Sequence, residues 1–297
     1  MSIKPISILV LVLLIISCGS SKQIASTSTT EEVIQVEEQK EEVFESIENE
    51  STTTIETPSE IESNETISEV ETEPEITGSQ DTEVFNHEAW NNLLQKHVSE
   101  QGNVNYNGFK SDKTEFYSYL NSLSETPPED SWSKDETLAY WMNVYNAFTI
   151  KLILDNYPIQ SIKDIDGPWN HRFIKIGAKW YTLNDVEHRI IRKMDEPRIH
   201  FALVCAAVSC PRLYNKAFTS KNLDSDLVLL TKGFLGDSSK NELSESSIKL
   251  SKIFKWYGGD FKSNESSLID FLNQYSDVTI SEKAKKSYKD YNWNLND

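Results

Sequence analysis

The stretch Ser133-Lys-Asp-Glu136-Thr-Leu-Ala-Tyr140-Trp-Met-Asn143-Val-Tyr-Asn146-Ala-Phe-Thr-Ile150-Lys151 holds no charged side chain between Glu136 and Lys151. A helix apolar around its whole circumference has no face to give to water and must be buried on every side. Ser133 and Glu136 stand at the Ser-x-x-Glu spacing of a capping box, so the helix opens there. It runs to about Asn156, with Pro158 beyond its end. Asn143 and Asn146 lie three apart on one face, so both amides enter the interior. A buried amide costs free energy unless its donors and acceptors are met. The two are therefore structural clamps on irregular loops, or part of a site.

Outward from this helix the chain alternates short helical and extended patterns. Helical spacing marks 86–99, with Asn86 as cap and Trp90, Leu93, Leu94 and Val98 inward, and again 112–123, before Pro127-Pro128. Residues 101–106 read as a turn into a short extended piece. Phe173–Ile176 and Lys179–Thr182 flank Gly177-Ala178 in the pattern of a β-hairpin. Thr182 and Asp185 can cap a helix over 183–194, with Leu183, Val186, Ile190 and Met194 as its apolar stripe. Arg198–Cys205 reads as a buried strand. A helix at 222–234, a strand near 247–251, helices near 252–256, 265–275 and 281–287, and a short C-terminal strand complete the pattern. The class is α+β: a single mixed domain with a buried central helix and a small sheet, after a disordered tether.

Composition separates that domain from what precedes it. The net charge is −18 over 297 residues, but residues 19–84 alone hold nineteen Asp/Glu against Lys22 and Lys40, a net of −17. Residues 85–297 are close to neutral and contain all seven Trp and all twelve Tyr. No basic patch exists to neutralise phosphates, which excludes a nucleic-acid partner. Three cysteines cannot staple a chain of this size. The Ser/Thr/Glu-rich segment has too little apolar surface to offset chain entropy, and a flexible chain of its length reaches on the order of 45 Å.

At the N-terminus, Lys4 precedes an apolar run from Ile6 to Ile16, too short to span a bilayer but suited to a secretory signal. It ends in Ile16-Ser17-Cys18-Gly19. This resembles a bacterial lipoprotein signal, cut before a cysteine that becomes the lipid-bearing N-terminus. Residues 1–17 are then the signal, 18–84 the acylated (palmitate-type) Cys18 and its acidic tether, and 85–297 the folded domain. The expected location is the bacterial cell envelope, with the domain outside the cytoplasm and attached to a membrane through its lipid.

Reactive side chains concentrate in 187–211: Glu187, His188, Arg192, His200, Cys205, Ser209 and Cys210. In a regular strand His200 and Cys205 point to opposite faces, so they form no dyad. Cys205, flanked by apolar residues, reads as a core thiol. Cys210, at the point where the chain leaves the strand before Pro211, is the candidate nucleophile, with His188 or His200 as base and Glu187 orienting it. A Cys205–Cys210 disulfide competes with this reading. It requires a tight turn at 206–209, because five extended residues span about 16 Å and the Cα atoms must come within about 7 Å. Asn143, Asn146, Glu187, His188 and Arg192 can alternatively form a polar cluster that binds a ligand or serves the fold alone.

No metal site is expected, since Arg192 shares a face with His188 and no His-Glu-x-x-His or Cys-x-x-Cys spacing occurs. His87, His97 and His171 read as surface or capping residues. No phosphate loop, dinucleotide fingerprint or Gly-x-Ser-x-Gly elbow is present, so no cofactor is expected.

The stretches Tyr140–Ala147, Trp180–Arg189, His200–Pro211, Ser251–Tyr257 with Asp260-Phe261, and Tyr291–Asn296 together resemble the family of domain of unknown function 547, found in bacteria, plants and nematodes. Asn292 stands where that pattern has Asp. Cytoplasmic relatives would imply that the two cysteines need no disulfide to fold. A buried helix followed by a strand bearing His is also similar to papain- and transglutaminase-like thiol enzymes, whose nucleophile opens the central helix, where this chain offers Asn143 and Asn146. The resemblance therefore implies either a binding module for an envelope peptide, glycan or protein, or a cysteine-dependent hydrolase or transferase using Cys210.

Overall fold

The computed structural model describes residues 84–262 and 266–297. The signal at 1–17, Cys18 and the tether up to residue 83 lie outside the described residues. From Phe85 the chain is a mixed α/β domain built around one helix.

Helices α1 (Glu88–His97), α2 (Tyr106–Ser111) and α3 (Lys113–Glu125) lead to α4 (Lys134–Asn156). The capping box forms as read: Ser133 Oγ accepts from the Glu136 amide at 3.2 Å, and Glu136 accepts from the Ser133 amide at 2.7 Å. Every side chain of α4 from Leu138 to Ile150 is buried. Each large apolar side chain so removed from water contributes about 1.5–3 kcal/mol. Aromatic rings fill the space between α4 and the preceding helices. Trp90 stacks on Tyr119 with centroids 5.6 Å apart, and the Tyr140 hydroxyl donates to the Leu123 carbonyl at 2.6 Å. Although α4 is long, no helix among the described residues is apolar enough to cross a membrane; α4 is buried in protein.

Beyond α4 a hairpin pairs β1 (Ile174–Ile176) with β2 (Lys179–Tyr181), in the register Ile176 to Lys179. Its two-residue turn needs a positive φ, and Gly177 supplies +56°. The chain then forms a π-helix (Asp185–Ile190), a 3-10 turn (Ile191–Met194) and a second 3-10 turn (Pro197–Phe201). Helix α5 (Leu223–Gly236), β3 (Glu242–Leu243), β4 (Ser247–Leu250), α6 (Ile253–Trp256), α7 (Leu268–Tyr275) and β5 (Lys285–Tyr288) follow. β4 is central in a three-stranded sheet, antiparallel to β3 and parallel to β5. There are thus two small sheets where one was expected.

Several elements differ from the sequence reading. Arg198–Cys205 is not a strand: Pro197 opens a 3-10 turn, and the Glu196 side chain caps it by accepting from the Arg198 amide. A short apolar run buried on all sides carries no periodicity to separate the two states. Residues 281–287 are not helical. Lys285–Tyr288 pairs with β4 at the sheet edge, where lysines are suited to exposed positions. Helix α2 begins where an extended piece was expected, because Asn105 caps it by accepting from the Gly108 amide. The C-terminal strand is reduced to single bridges, Asn294 to Ser161 and Leu295 to Ala207. His87 and His97 are buried, not on the surface. His87 bonds the Tyr119 hydroxyl, and burial pushes its pKa down to about 3.

Candidate functional site

The densest polar chemistry in the interior starts at the π-helix. Thr182 and Asp185 cap its entry reciprocally, each side chain accepting from the other's amide at 2.9 Å. At its exit the Ile191 amide reaches the carbonyls of both Val186 and Glu187, the widened turn that defines the element. Such turns recur at functional sites because they re-aim side chains out of α-helical register. Here two adjacent residues, Glu187 and His188, are both buried.

Glu187 accepts from two phenols, Tyr145 of α4 at 2.8 Å and Tyr257 after α6 at 2.5 Å. Burial pushes its pKa upward, but the His188 and His200 imidazoles beside it and the two hydroxyl donors outweigh this, and the carboxyl lies below its ordinary value. Arg192 makes a two-pronged bond to Asp260, Nε and Nη2 each at 2.6 Å, and places Nη1 3.0 Å from His188 Nδ1. A guanidinium has no acceptor, so His188 Nδ1 accepts and the proton of the neutral ring sits on Nε2. Burial, with the adjacent Arg192, lowers the His188 pKa and keeps it neutral.

His200 Nε2 lies 2.7 Å from Asp260 Oδ2, and its ring stacks on Tyr257 with centroids 3.9 Å apart. Burial raises Asp260, but the bonds from Arg192 and His200 more than reverse that and hold it far below the ordinary carboxylate range. The result is a continuous network: Tyr145 and Tyr257 on Glu187, Tyr257 against His200, His200 and Arg192 on Asp260, Arg192 on His188. Arg192 and Asp260 also line a cavity of about 640 Å³, together with Glu196, Phe261, Lys262 and Phe271.

The structure thus brings Glu187, His188, Arg192 and His200 together. It adds Asp260, Tyr145 and Tyr257, to which sequence reasoning assigned no role. The one signal for the pair Tyr257 and Asp260 was their place in the stretches that carry the family resemblance.

Asn143 and Asn146 are spent elsewhere. Asn143 donates to the Phe218 carbonyl at 2.8 Å and accepts from the Phe218 amide at 3.1 Å. Asn146 does the same across the 202–204 loop, donating to the Ala202 carbonyl and accepting from the Val204 amide.

Cys210 makes its bonds outside the network. Its sulphur is 2.7 Å from that of Cys205 and 2.8 Å from the Cys205 amide. Both residues are thiols. The Tyr291 hydroxyl is 3.2 Å from Cys205 Sγ. Burial first, then the bond with Cys205, raises the Cys210 pKa well above the ordinary thiol value. The bonds shown for the two imidazoles go to other groups: His200 Nε2 to Asp260 and His188 Nδ1 to Arg192. The strand argument that kept His200 from Cys205 rested on a strand that does not form, yet the two side chains do take different partners. Among the described residues no group of three or more His, Cys, Asp or Glu side chains is arranged to hold a metal ion.

Fold and site together define a mixed α/β domain with a buried charged network beside a cavity. Residues 129–235 match the model of a family described as a protein of unknown function, DUF547. That match spans α4, the hairpin, the π-helix and α5, and stops short of Tyr257 and Asp260. No curated protein and no solved structure matches the chain.

Proposed function

We propose that the chain is a lipid-anchored protein of the bacterial cell envelope whose domain binds a peptide segment. The observation that carries the binding reading is the pairing of Arg192 with Asp260 on the wall of the 640 Å³ cavity. Fixed opposite charges beside Phe261 and Phe271 suit a ligand that alternates charged and apolar groups, as a peptide does and a neutral glycan does not. Support for the anchor comes from Cys18, directly behind the small residue Ser17 that ends the apolar run 6–16, and from the acidic segment that follows it. A thiol-hydrolase reading finds less support, because the Cys210 thiol is buried and held protonated.

The binding test is titration of the full chain with muropeptides, with the peptide stem alone, and with chitooligosaccharides of matched size. Stem and muropeptide are expected to bind equally, and the sugar not at all. Lys262 is exposed at the cavity, and K262E is expected to weaken stem binding about ten-fold without moving the unfolding midpoint. Binding of the sugar alone, or no effect of K262E, sinks the peptide reading. For the anchor, C18S expressed in a bacterial host is expected to leave the membrane fraction and to lose acyl mass.

A further inference from the structure

The loop between the two cysteines is built to bring them together. The tight turn that a Cys205–Cys210 link requires is present, and Ala206 adopts φ +54° to make it. A non-glycine residue held there is strained and persists only where its surroundings enforce it. The C-terminal segment does the enforcing. The amides of Val208 and Ser209 donate to the carbonyls of Asn294 and Asn292, and Ala207 bridges to Leu295. The Cys210 amide closes the turn on the Ala207 carbonyl at 3.0 Å. With the sulphurs 2.7 Å apart, a small torsional adjustment brings them to the about 2.05 Å of a bond.

The two cysteines differ in exposure. Cys210 lines a second cavity, about 740 Å³, between its own loop and α5, with Leu229, Arg212, Lys232 and Lys240 around it. Cys205 is half-buried.

We propose that Cys205 and Cys210 form a thiol–disulfide exchange site that reduces a small or peptide-borne disulfide. Cys205, the less buried of the two, attacks as thiolate. One sulphur of the substrate R–S–S–R′ bonds to Cys205 as the substrate bond breaks, and R′S⁻ takes up the proton that left Cys205. Cys210 then loses its proton and attacks Cys205 Sγ. The Cys205–Cys210 bond forms, and RS⁻ leaves with that proton. The dithiol is oxidised by two electrons and the substrate is reduced to two thiols. The Tyr291 hydroxyl, within reach of Cys205 Sγ, is a positioning group that offers a hydrogen bond to the developing thiolate.

This proposal does not depend on what the Arg192–Asp260 cavity binds. It is tested on the folded full chain with oxidised glutathione, followed by alkylation and peptide mapping, which keeps Cys18 separate. The expected product is an internal Cys205–Cys210 link, lighter by two hydrogens, with alkylation at both positions reduced at least about ten-fold. Dithiothreitol is expected to reverse it without denaturant. C210S is expected to accumulate a glutathione adduct on Cys205, since the second step is lost, and C205S is not. Y291F is expected to slow the first step and leave the linked product stable. Two outcomes overturn the proposal: thiols that glutathione disulfide leaves unmodified until the chain is unfolded, or a link present from the outset that dithiothreitol opens only in denaturant.

Discussion

Two groups of buried polar side chains sit within a few turns of each other, and they are satisfied in different ways. Asn143 and Asn146 each meet backbone with both ends of one amide, and each holds a single loop. Glu187, through Tyr257, and His188, Arg192, His200 and Asp260 meet side chain to side chain, across the π-helix, both 3-10 turns and the 257–260 segment. The amides carry no charge, so their contribution is independent of pH and fixes local backbone. The charged group carries two carboxylates around one guanidinium, so its stability depends on every member remaining paired. Polarity in this core therefore serves two ends: positioning loops, and holding fixed charge at the wall of a cavity.

The comparison breaks most sharply at Asp260. D260A leaves Arg192 and His200 without their shared carboxylate and is expected to lower stability by about 3–5 kcal/mol, read as a fall in the urea midpoint. A loss below about 1 kcal/mol would show that solvent already screens the pair.

The same group sets an acid limb. Asp260 and Glu187 both lie below their ordinary values when folded, so the unfolded chain binds protons first as pH falls. The stability they contribute is full above an unfolded pKa of about 4 and is lost as pH drops through the folded values. Neutral, buried His87 and His188 act in the same direction and start earlier in the descent, from about pH 6.5. Unfolding midpoints from pH 7 to 3 are expected to fall monotonically for the parent chain and less steeply for D260N. A flat parent profile refutes the electrostatic reading.

N146A orphans the Ala202 carbonyl and the Val204 amide and is expected to cost about 1–3 kcal/mol. Its pH profile should run parallel to that of the parent. A change in its slope would mean that the clamp and the charged network are coupled. S133A removes the exposed cap of the same helix and is expected to cost about 1 kcal/mol, again without a change in slope.

What was legible in the sequence was whatever depends on near neighbours. The Ser133–Glu136 box, the Thr182–Asp185 cap and the Gly177 hairpin are each closed by groups within a few positions, and each forms as read. So does the burial of α4, because an uninterrupted apolar run has only one environment open to it. Less was legible where an apolar segment had no period, as at 198–205, or where helix-favouring Lys and Ala residues met an open sheet edge, as at 283–288.

Local signals were enough to fix the mixed class, the central helix and the concentration of chemistry in 187–211. They did not determine which of those side chains would meet. Asp260 is 60 residues from His200 and 68 from Arg192, and Tyr257 is 70 from Glu187. Nothing local marks such pairs, because a buried carboxylate finds its partners through the packing of whole elements. The π turn that buries Glu187 and His188 side by side, and the left-handed Ala206 that brings Cys205 onto Cys210, were likewise decided by tertiary structure. Each is a local conformation that costs energy by itself and is held in place only by contacts from distant parts of the chain.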